Sequence, residues 1–512
     1  MKLSTSSQMK ELDAKSIKEF NIPDIVLMEN ASRGTFELIK KHFGKLEGVK
    51  VSVFAGLGNN GGDAMALARH LYNAGANVLV NLAANTDRLN PSPKINYEIL
   101  RSMNVEIAII NNIDNINDVF LAHSQIIIDG LFGIGLSRNI EGLFYDIIEK
   151  INKSSATKVS LDIPSGINAD TGECLGIAVK ADLTVTFALA KPGHFLYPGR
   201  DYCGRLEIVG ISTPKSLIDE FKPTFNALVK DDFFLENRLK SSHKGNFGHV
   251  AVVGGSLGKS GAVVLSSCAC LKSGAGLVSA VVPDCINNAF ESLCVEAMSY
   301  PVNSKNGFFS KDSFDDIFNF VKDKDVICFG MGLGIFNEGL DLLKGLIELK
   351  KPMVIDADGL NVLAKNPDVL KIANAPIVLT PHPKEFSRLI NQSTQYVIKN
   401  RLNLIKEFAK NYNVILVLKM ADTLISDGND IFINTSGNPG LSTGGSGDVL
   451  SGIIASFIAQ GKTVLQAATF GVFLHGFSAD LAVKEFGENA LLPSDVINYL
   501  AKAIESFKIM AQ

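Results

Sequence analysis

Residues 51–71 read VSVFAGLGNNGGDAMALARHL: an apolar, β-branched run, a turn built on Gly56, Gly58 and Gly61, and then a helical pattern. The glycines satisfy the G-x-G-x-x-G spacing between a strand and a helix, which lets backbone amides approach a phosphate-bearing ligand. Two features depart from an ordinary dinucleotide fingerprint. The next strand ends at Asn81 without the ribose-binding acid expected about 20 residues downstream. The turn itself carries Asn59, Asn60 and Asp63 where small apolar residues usually serve. Asparagine also tolerates left-handed turn geometry, so ligand contact and turn formation both fit Asn59 and Asn60.

Outward from this stretch, β-branched runs recur between helical segments: KVSVFAG, NVLVNLA, SQIIIDG, TKVSLDI and ADLTVTFA. Their alternation predicts a parallel sheet covered by helices, with ligands gathering beyond the strands' carboxyl ends. Asp63, Asp129 and Asp162 fall at that edge with Ser165. Three acids, asparagine carbonyls and a hydroxyl form a hard-oxygen set suited to an alkali or alkaline-earth cation, with a candidate general base. Lys191 and His194, past the fifth run, are expected at a rim or facing water. Before the sheet, two helices separated by Asn21–Pro23 are predicted.

Residues 213–230 read as a connector, and the chain is expected to hold two α/β domains, 1–225 and 226–512. Strand–helix alternation restarts at GHVAVVGGS. The stretch GGSLGKSG, Gly254 to Gly261, falls one residue short of Walker A spacing. Later strand exits carry Asp356 and Asp358, placed either to bind Mg²⁺ or to cap a helix, then His382 between two prolines, and Lys419. The segment GNPGLSTGGSGDVLSGIIASFIAQG, Gly437 to Gly461, joins a glycine loop to an apolar helix predicted to begin near Val449. Amides freed by Gly444, Gly445 and Gly447 would cradle a phosphoryl group at the helix start. Asp448 beside them is either a proton-transfer group or a helix cap.

Composition narrows the class. A chain of 512 residues exceeds a single core. A net charge of −4 with no basic block argues against nucleic acid. The N-terminus has no apolar core of a secretory signal, and no apolar run approaches about 18 residues, so neither export nor a membrane span is expected. Seven cysteines without CxxC spacing point to a reducing, cytoplasmic setting rather than to disulfides or zinc.

In order along the chain, GNNGGD, DGLFGIGL, LDIPSG, VVGGS, SGAGLV, GMGLG, DADGLN, TPHPKEF and GNPGLSTGGSGDVLSG make the chain resemble the bifunctional NAD(P)H-hydrate repair enzymes over nearly its full length. The resemblance implies an N-terminal Rossmann-like three-layer sandwich that epimerises hydrated NADH and NADPH. It also implies a C-terminal ribokinase-like three-layer sandwich that dehydrates one epimer with ADP or ATP and Mg²⁺. By the same resemblance Asn59, Asn60, Gly61, Gly62, Asp63, Gly133, Ile134, Gly135, Leu136, Ser137, Arg138, Asn139 and Asp162 would hold the hydrated nucleotide in the epimerase, with Asp162 as candidate acid/base. Asn60, Asp129 and Ser165 would ligate potassium. In the dehydratase, Ala262, Gly334, His382 and Asp448 would meet the hydrated dinucleotide, with Asp448 as the base. Lys419, Met420, Ala421, Asp422, Thr423 and Gly447 would meet the adenine nucleotide. Ala64 and Met420 stand where the family often has glycine and a lysine–glycine pair. A homo-oligomer is expected. Two other readings stay open: a small-molecule kinase in the second half, and a non-catalytic nucleotide-binding module in the first.

Overall fold

Short runs such as Lys50–Ala55 are buried along nearly their whole length, which a strand achieves only when both sheet faces are covered. The computed structural model describes residues 1–83 and 85–508 and divides into two compact units, Lys2–Phe225 and, with Met1, Asn226–Gln512.

The first unit carries β1 (Lys50–Ala55), β2 (Asn77–Leu82), β3 (Glu106–Ile109), β4 (Ile126–Gly130), β5 (Thr157–Leu161), β6 (Leu183–Phe187) and β7 (Arg205–Val209). They lie in the order β3-β2-β1-β4-β5-β6-β7, every neighbour parallel, with Val53 opposite Ile128 and Ile128 opposite Val159. The strand order reverses between β1 and β4, and there the loops after the two strands diverge and open a crevice. The turn after β1 is tight enough to need glycine. A Cβ on Gly61 would come within 2.0 Å of the Gly56 carbonyl oxygen, so only glycine lets helix α3 (Asn59–Asn73) start this close to its strand. The predicted leading helices are α1 (Ser6–Lys18) and α2 (Asp24–Phe43). Thr5 and Gln8 close a capping box on α1, and the Ser6 amide and hydroxyl both donate to Asp170, at 2.6 and 3.0 Å, which ties the helix down. The expected plain connector instead contains a helix, Lys215–Glu220, and a strand, Phe225–Leu228.

In the second unit β8 (His249–Val253), β9 (Leu277–Pro283), β10 (Met298–Val302), β11 (Val326–Phe329), β12 (Met353–Ile355), β13 (Ile377–Leu379) and β14 (Ile415–Leu418) run parallel in the order β14-β13-β12-β11-β8-β9-β10. Antiparallel β15 (Leu424–Ser426) and β16 (Ile431–Asn434) extend the β14 side. Helices α4 (Ser260–Lys272), α5 (Ser446–Ala459) and α6 (Val464–Phe486) pack together. Helix α5 is apolar nearly all round, which fits its burial from Val449 to Ile458. Its Gly452 lies against α4, where a Cβ would meet the Ser266 carbonyl oxygen at 2.2 Å.

Candidate active sites

The β1 and β4 exits, α1, α2 and the strand-end loops of the first unit enclose a cavity of about 620 Å³. Of the residues singled out in sequence, Asn59, Asn60, Asp63, Asp162 and the run Gly133 to Arg138 line it. Gly61, Gly62 and Asn139 do not. Gly61 and Gly62 serve backbone packing, against Gly56 and the Met28 side chain.

Asp162, just past β5, takes a left-handed φ of 63°, a conformation that costs an aspartate of order 1 kcal/mol and is kept only where neighbours enforce it. Its amide donates to Val185 O at 2.7 Å, and its carbonyl oxygen lies 2.9 Å from His194 Nε2. His194 Nδ1 accepts from the Lys191 amide, which assigns the proton to Nε2. Burial depresses the imidazole pKa to about 4, keeping it a neutral brace. The Lys191 ammonium sits 2.5 Å from Asp162 Oδ1 and 2.8 Å from Thr186 Oγ1. Burial opposes ionisation of Asp162, but the attraction and hydrogen bond of Lys191 outweigh it, and the carboxyl titrates below its usual range. The expectation of Lys191 and His194 at a rim or in water is therefore corrected. Both are buried, at 1% and 2% exposure, because the charged end of Lys191 finds its counter-ion inside.

The three strand-edge acids do not converge on one cation. Asp129 is fully buried and accepts from Ser160 Oγ, the Ser165 amide and Ser165 Oγ at 2.8, 2.9 and 2.6 Å. Burial raises its pKa against those donors. The Asp63 pKa is raised well above its usual range, chiefly by burial and then by the Asp162 charge. Among the described residues no three or more histidine, cysteine or acidic side chains cluster to hold a metal ion. A smaller, neutral-rich oxygen site is nevertheless present. Asn60 Nδ2 donates to Phe132 O at 2.9 Å while Asn60 Oδ1 is buried without a partner, and Ser165 Oγ also meets Phe132 O. An orphaned amide oxygen beside a hydroxyl, a carbonyl and a carboxylate fits a large monovalent cation.

In the second unit, Lys419 at the end of β14 donates from Nζ to Asp356 Oδ1 at 2.6 Å, and Ser451 Oγ of α5 donates to Asp356 Oδ2 at 2.7 Å. This settles Asp356 as the counter-ion of Lys419. Burial favours the neutral lysine, but Asp356 and then Glu385 overcome it and raise the Lys419 pKa. Asp358 accepts the Gly334 amide at 2.9 Å and pairs with Lys259 at 3.0 Å, while Ala357 takes the cap position of its helix. Asp356 and Asp358 thus cap nothing.

Helix α5 begins at Ser446, three residues before the expected Val449, because Gly445, with φ of 98°, is its N-cap. Asp448 therefore stands in the first turn, and the helix-cap alternative is excluded. Burial, and then the Asp356 charge, push its carboxyl up to about 7. Gly447 leaves room for the ammonium: a Cβ there would lie 3.0 Å from Lys419 Nζ. The Ser446 hydroxyl is buried without a partner at the same helix start, where amide donors and the helix dipole favour an anion. Ala262 lies near Gly332 in the glycine exit of β11. His382 caps its own helix by accepting the amides of Lys384 and Glu385, and burial followed by Lys419 lowers its pKa. Thr423 Oγ1 closes the turn onto Met420 O at 2.8 Å, while the Asp422 carboxylate is engaged by Arg401.

Three participants escaped sequence reading: Asp13, which lines the first cavity from α1, Lys191 as the partner of Asp162, and Ser451 under Asp356. Only Ser451 had a local signal, five residues after Ser446 on a helix start already singled out.

Residues 250–502 match the family model described as NAD(P)H-hydrate dehydratase, and residues 24–193 match that of the YjeF-related protein N-terminus. The chain is 37% identical to the bifunctional NAD(P)H-hydrate repair enzyme of Moorella thermoacetica, covering 99% of this chain and 97% of that one. It is 36% identical to the enzyme of the same name from Thermofilum pendens, at the same coverage. A ribokinase-like superfamily protein of Enterococcus faecalis aligns at 28% identity and a TM-score of 0.50, over 56% of this chain and 98% of that one.

Proposed function

The chain belongs to the family of bifunctional NAD(P)H-hydrate repair enzymes, and from that premise we propose how its two units divide the work. The enzyme repairs hydrated NADH and NADPH by epimerising the two hydrates and dehydrating one of them. We assign epimerisation to Lys2–Phe225 and dehydration to Asn226–Gln512. The single observation that carries the assignment is Asp448, a carboxyl tuned to about 7 at an anion-binding helix start.

Hydration leaves a hydroxyl on the nicotinamide ring, and hydroxide is a poor leaving group. At the second site Asp448 takes the hydroxyl proton as the oxygen attacks the terminal phosphoryl group of ADP or ATP, the bridging P–O bond breaks, and AMP or ADP leaves with its electrons. The Ser446–Asp448 amides and the Lys419 ammonium face the charge that develops on that group. Phosphate then departs with its bonding electrons, the neighbouring ring carbon loses a proton, and the ring double bond returns. Asp356 and Ser451 hold Lys419 against Gly447. Mg²⁺ would supply further charge neutralisation to the phosphates, and Asp358, whose charge reaches Asp448, is a carboxylate that would hold it.

At the first site Asp162, ionised by Lys191, is the acid/base that reaches the ring, with Gly133 to Arg138 and Asn59 to Asp63 around the nucleotide. Asn60, Asp129, Ser165 and the Phe132 carbonyl would hold potassium, which supplies a fixed positive charge behind the β4 loop. Interconversion of the epimers makes the whole damaged pool accessible to the second site. Seven free cysteines fit a reducing cytoplasm, no helix among the described residues is long and apolar enough to cross a membrane, and we expect a homo-oligomer.

The test supplies both NADPH hydrate epimers, Mg²⁺ and K⁺, with ADP and ATP in separate reactions, and follows the return of reduced-nicotinamide absorbance. Full recovery with one nucleotide supports the assignment and identifies the phosphoryl donor. A stable phosphorylated product without recovery would replace the dehydratase by a small-molecule kinase.

A further inference from the structure

We propose that Asp13 is the second proton-transfer group of the epimerase site, acting across the bound ring from Asp162. This rests on reading the first unit as an epimerase and gives that reading its missing partner. Adding water to an enamine puts the new proton on the carbon β to nitrogen and the hydroxyl on the carbon next to nitrogen. Inverting that carbon through a C=N⁺ ion means removing a hydroxyl from one face and returning one to the other. A single carboxylate cannot serve both faces, and a pair held in different protonation states can.

Asp13 has the position for the role. Met9, Lys10 and Asp13, spaced as one face of α1, all line the 620 Å³ cavity together with Asp162 and Lys191. The helix is fixed there by its Thr5 cap, by Asp170, and by packing of Met9 and Leu12 on Leu189. Asp13 Oδ1 is sealed from solvent with no hydrogen-bond partner. A carboxylate with one oxygen so placed is costly, and a carboxylic acid with a proton to give is less so.

The electrostatics agree. Burial raises the Asp13 pKa to about 6 against the pull of Lys191, with Asp162 and then Asp24 adding to the rise. Lys10, Asp63 and Arg138 complete the charged groups around the cavity. The pair is therefore split, Asp162 low and Asp13 high, while burial raises Asp63 well above the usual carboxylate range.

In the step, the Asp13 carboxyl gives its proton to the leaving hydroxyl as the C–O bond breaks and the ring-nitrogen lone pair forms a C=N⁺ bond. One water leaves. A second water adds to the opposite face, the C=N⁺ electrons return to nitrogen, and Asp162 takes the proton. The reverse reaction exchanges the two roles.

The test uses the full-length enzyme and epimer-pure NADPH hydrate, without nucleotide, followed by chromatographic separation of the epimers in H₂¹⁸O over a range of pH. Wild type should place solvent oxygen in each inverted product and lose rate as pH rises through the Asp13 titration. Asp13→Asn should bind the hydrate yet epimerise on the order of 10²- to 10⁴-fold more slowly and without that alkaline limb. Asp13→Glu, which keeps the acid, should recover part of the rate and serves if the asparagine variant does not fold. Wild-type rate and pH profile in Asp13→Asn would overturn the proposal, as would a slow variant that keeps the wild-type pH profile or inversion with the original oxygen retained. If wild type itself leaves the epimer ratio unchanged, the epimerase reading falls and the proposal with it.

Discussion

In each unit a lysine pairs with a buried aspartate, Lys191 with Asp162 and the partly exposed Lys419 with Asp356, and the two pairs are disposed in opposite ways. In the first unit Lys191 grips Asp162, the acid that faces the cavity, at 2.5 Å. In the second, Lys419 grips Asp356 at 2.6 Å and leaves Asp448, the acid in the first turn of α5, without a counter-ion of its own. Burial opposes ionisation of both acids, yet Asp162 titrates low and Asp448 is raised to about 7. Which carboxylate receives the ammonium therefore decides which keeps a low pKa and which titrates near neutrality.

Breaking the first pair should have the largest effect. Lys191→Met leaves the buried Asp162 carboxylate uncompensated and should cost the first unit about 3–5 kcal/mol, read as a lower urea midpoint, with loss of epimerisation. An unchanged midpoint would mean that the pair contributes no more than a surface ion pair. In the second unit the expected signature is a pH profile. With Asp448 as the proposed base, the dehydration rate should fall about tenfold per unit below the carboxyl's titration near pH 7. The same shift has a stability cost of known sign. An acid titrating higher in the fold than in the unfolded chain loses stability as pH rises from the unfolded value toward 7. Asp448→Asn should therefore raise the melting temperature at pH 8, by about 2–4 °C for each kcal/mol recovered, and leave it unchanged at pH 4. The smallest effect should follow from replacing K⁺ with tetramethylammonium: a several-fold loss of epimerisation alone, abolished in Asn60→Ala. Equal loss of both activities would show that the cation does not belong to the first site.

The difference between the units also shows what a sequence can disclose. Parallel strands and their exits were readable, and with them the places of Asp162 past a strand and Asp448 at a helix start, because β-branched runs and glycine turns are local patterns with a physical cause. Lys191 was not, since a lysine 29 residues beyond its partner carries no local mark of burial, and the 2.5 Å contact exists only once β5 and β6 lie side by side. Asp13 was hidden for a similar reason, as an unremarkable acid on an amphipathic helix until the fold set that helix over the cavity. The start of α5 was misread by three residues because Gly445, taken for a phosphate-binding glycine, also caps the helix.

The most direct measurement uses the R epimer of NADPH hydrate alone, with nucleotide, Mg²⁺ and K⁺, and compares wild type with Asp162→Asn and Asp448→Asn. If the S epimer is the one dehydrated, NADPH should return in wild type. Asp162→Asn should return NADPH from the S epimer and not from the R epimer. Asp448→Asn should convert R into a mixture of epimers and return no NADPH, a loss on the order of 10²- to 10⁴-fold in dehydration rate. Loss of both activities in either folded variant, or NADPH returning from the R epimer at the wild-type rate in Asp162→Asn, would contradict two separate sites with two differently tuned acids.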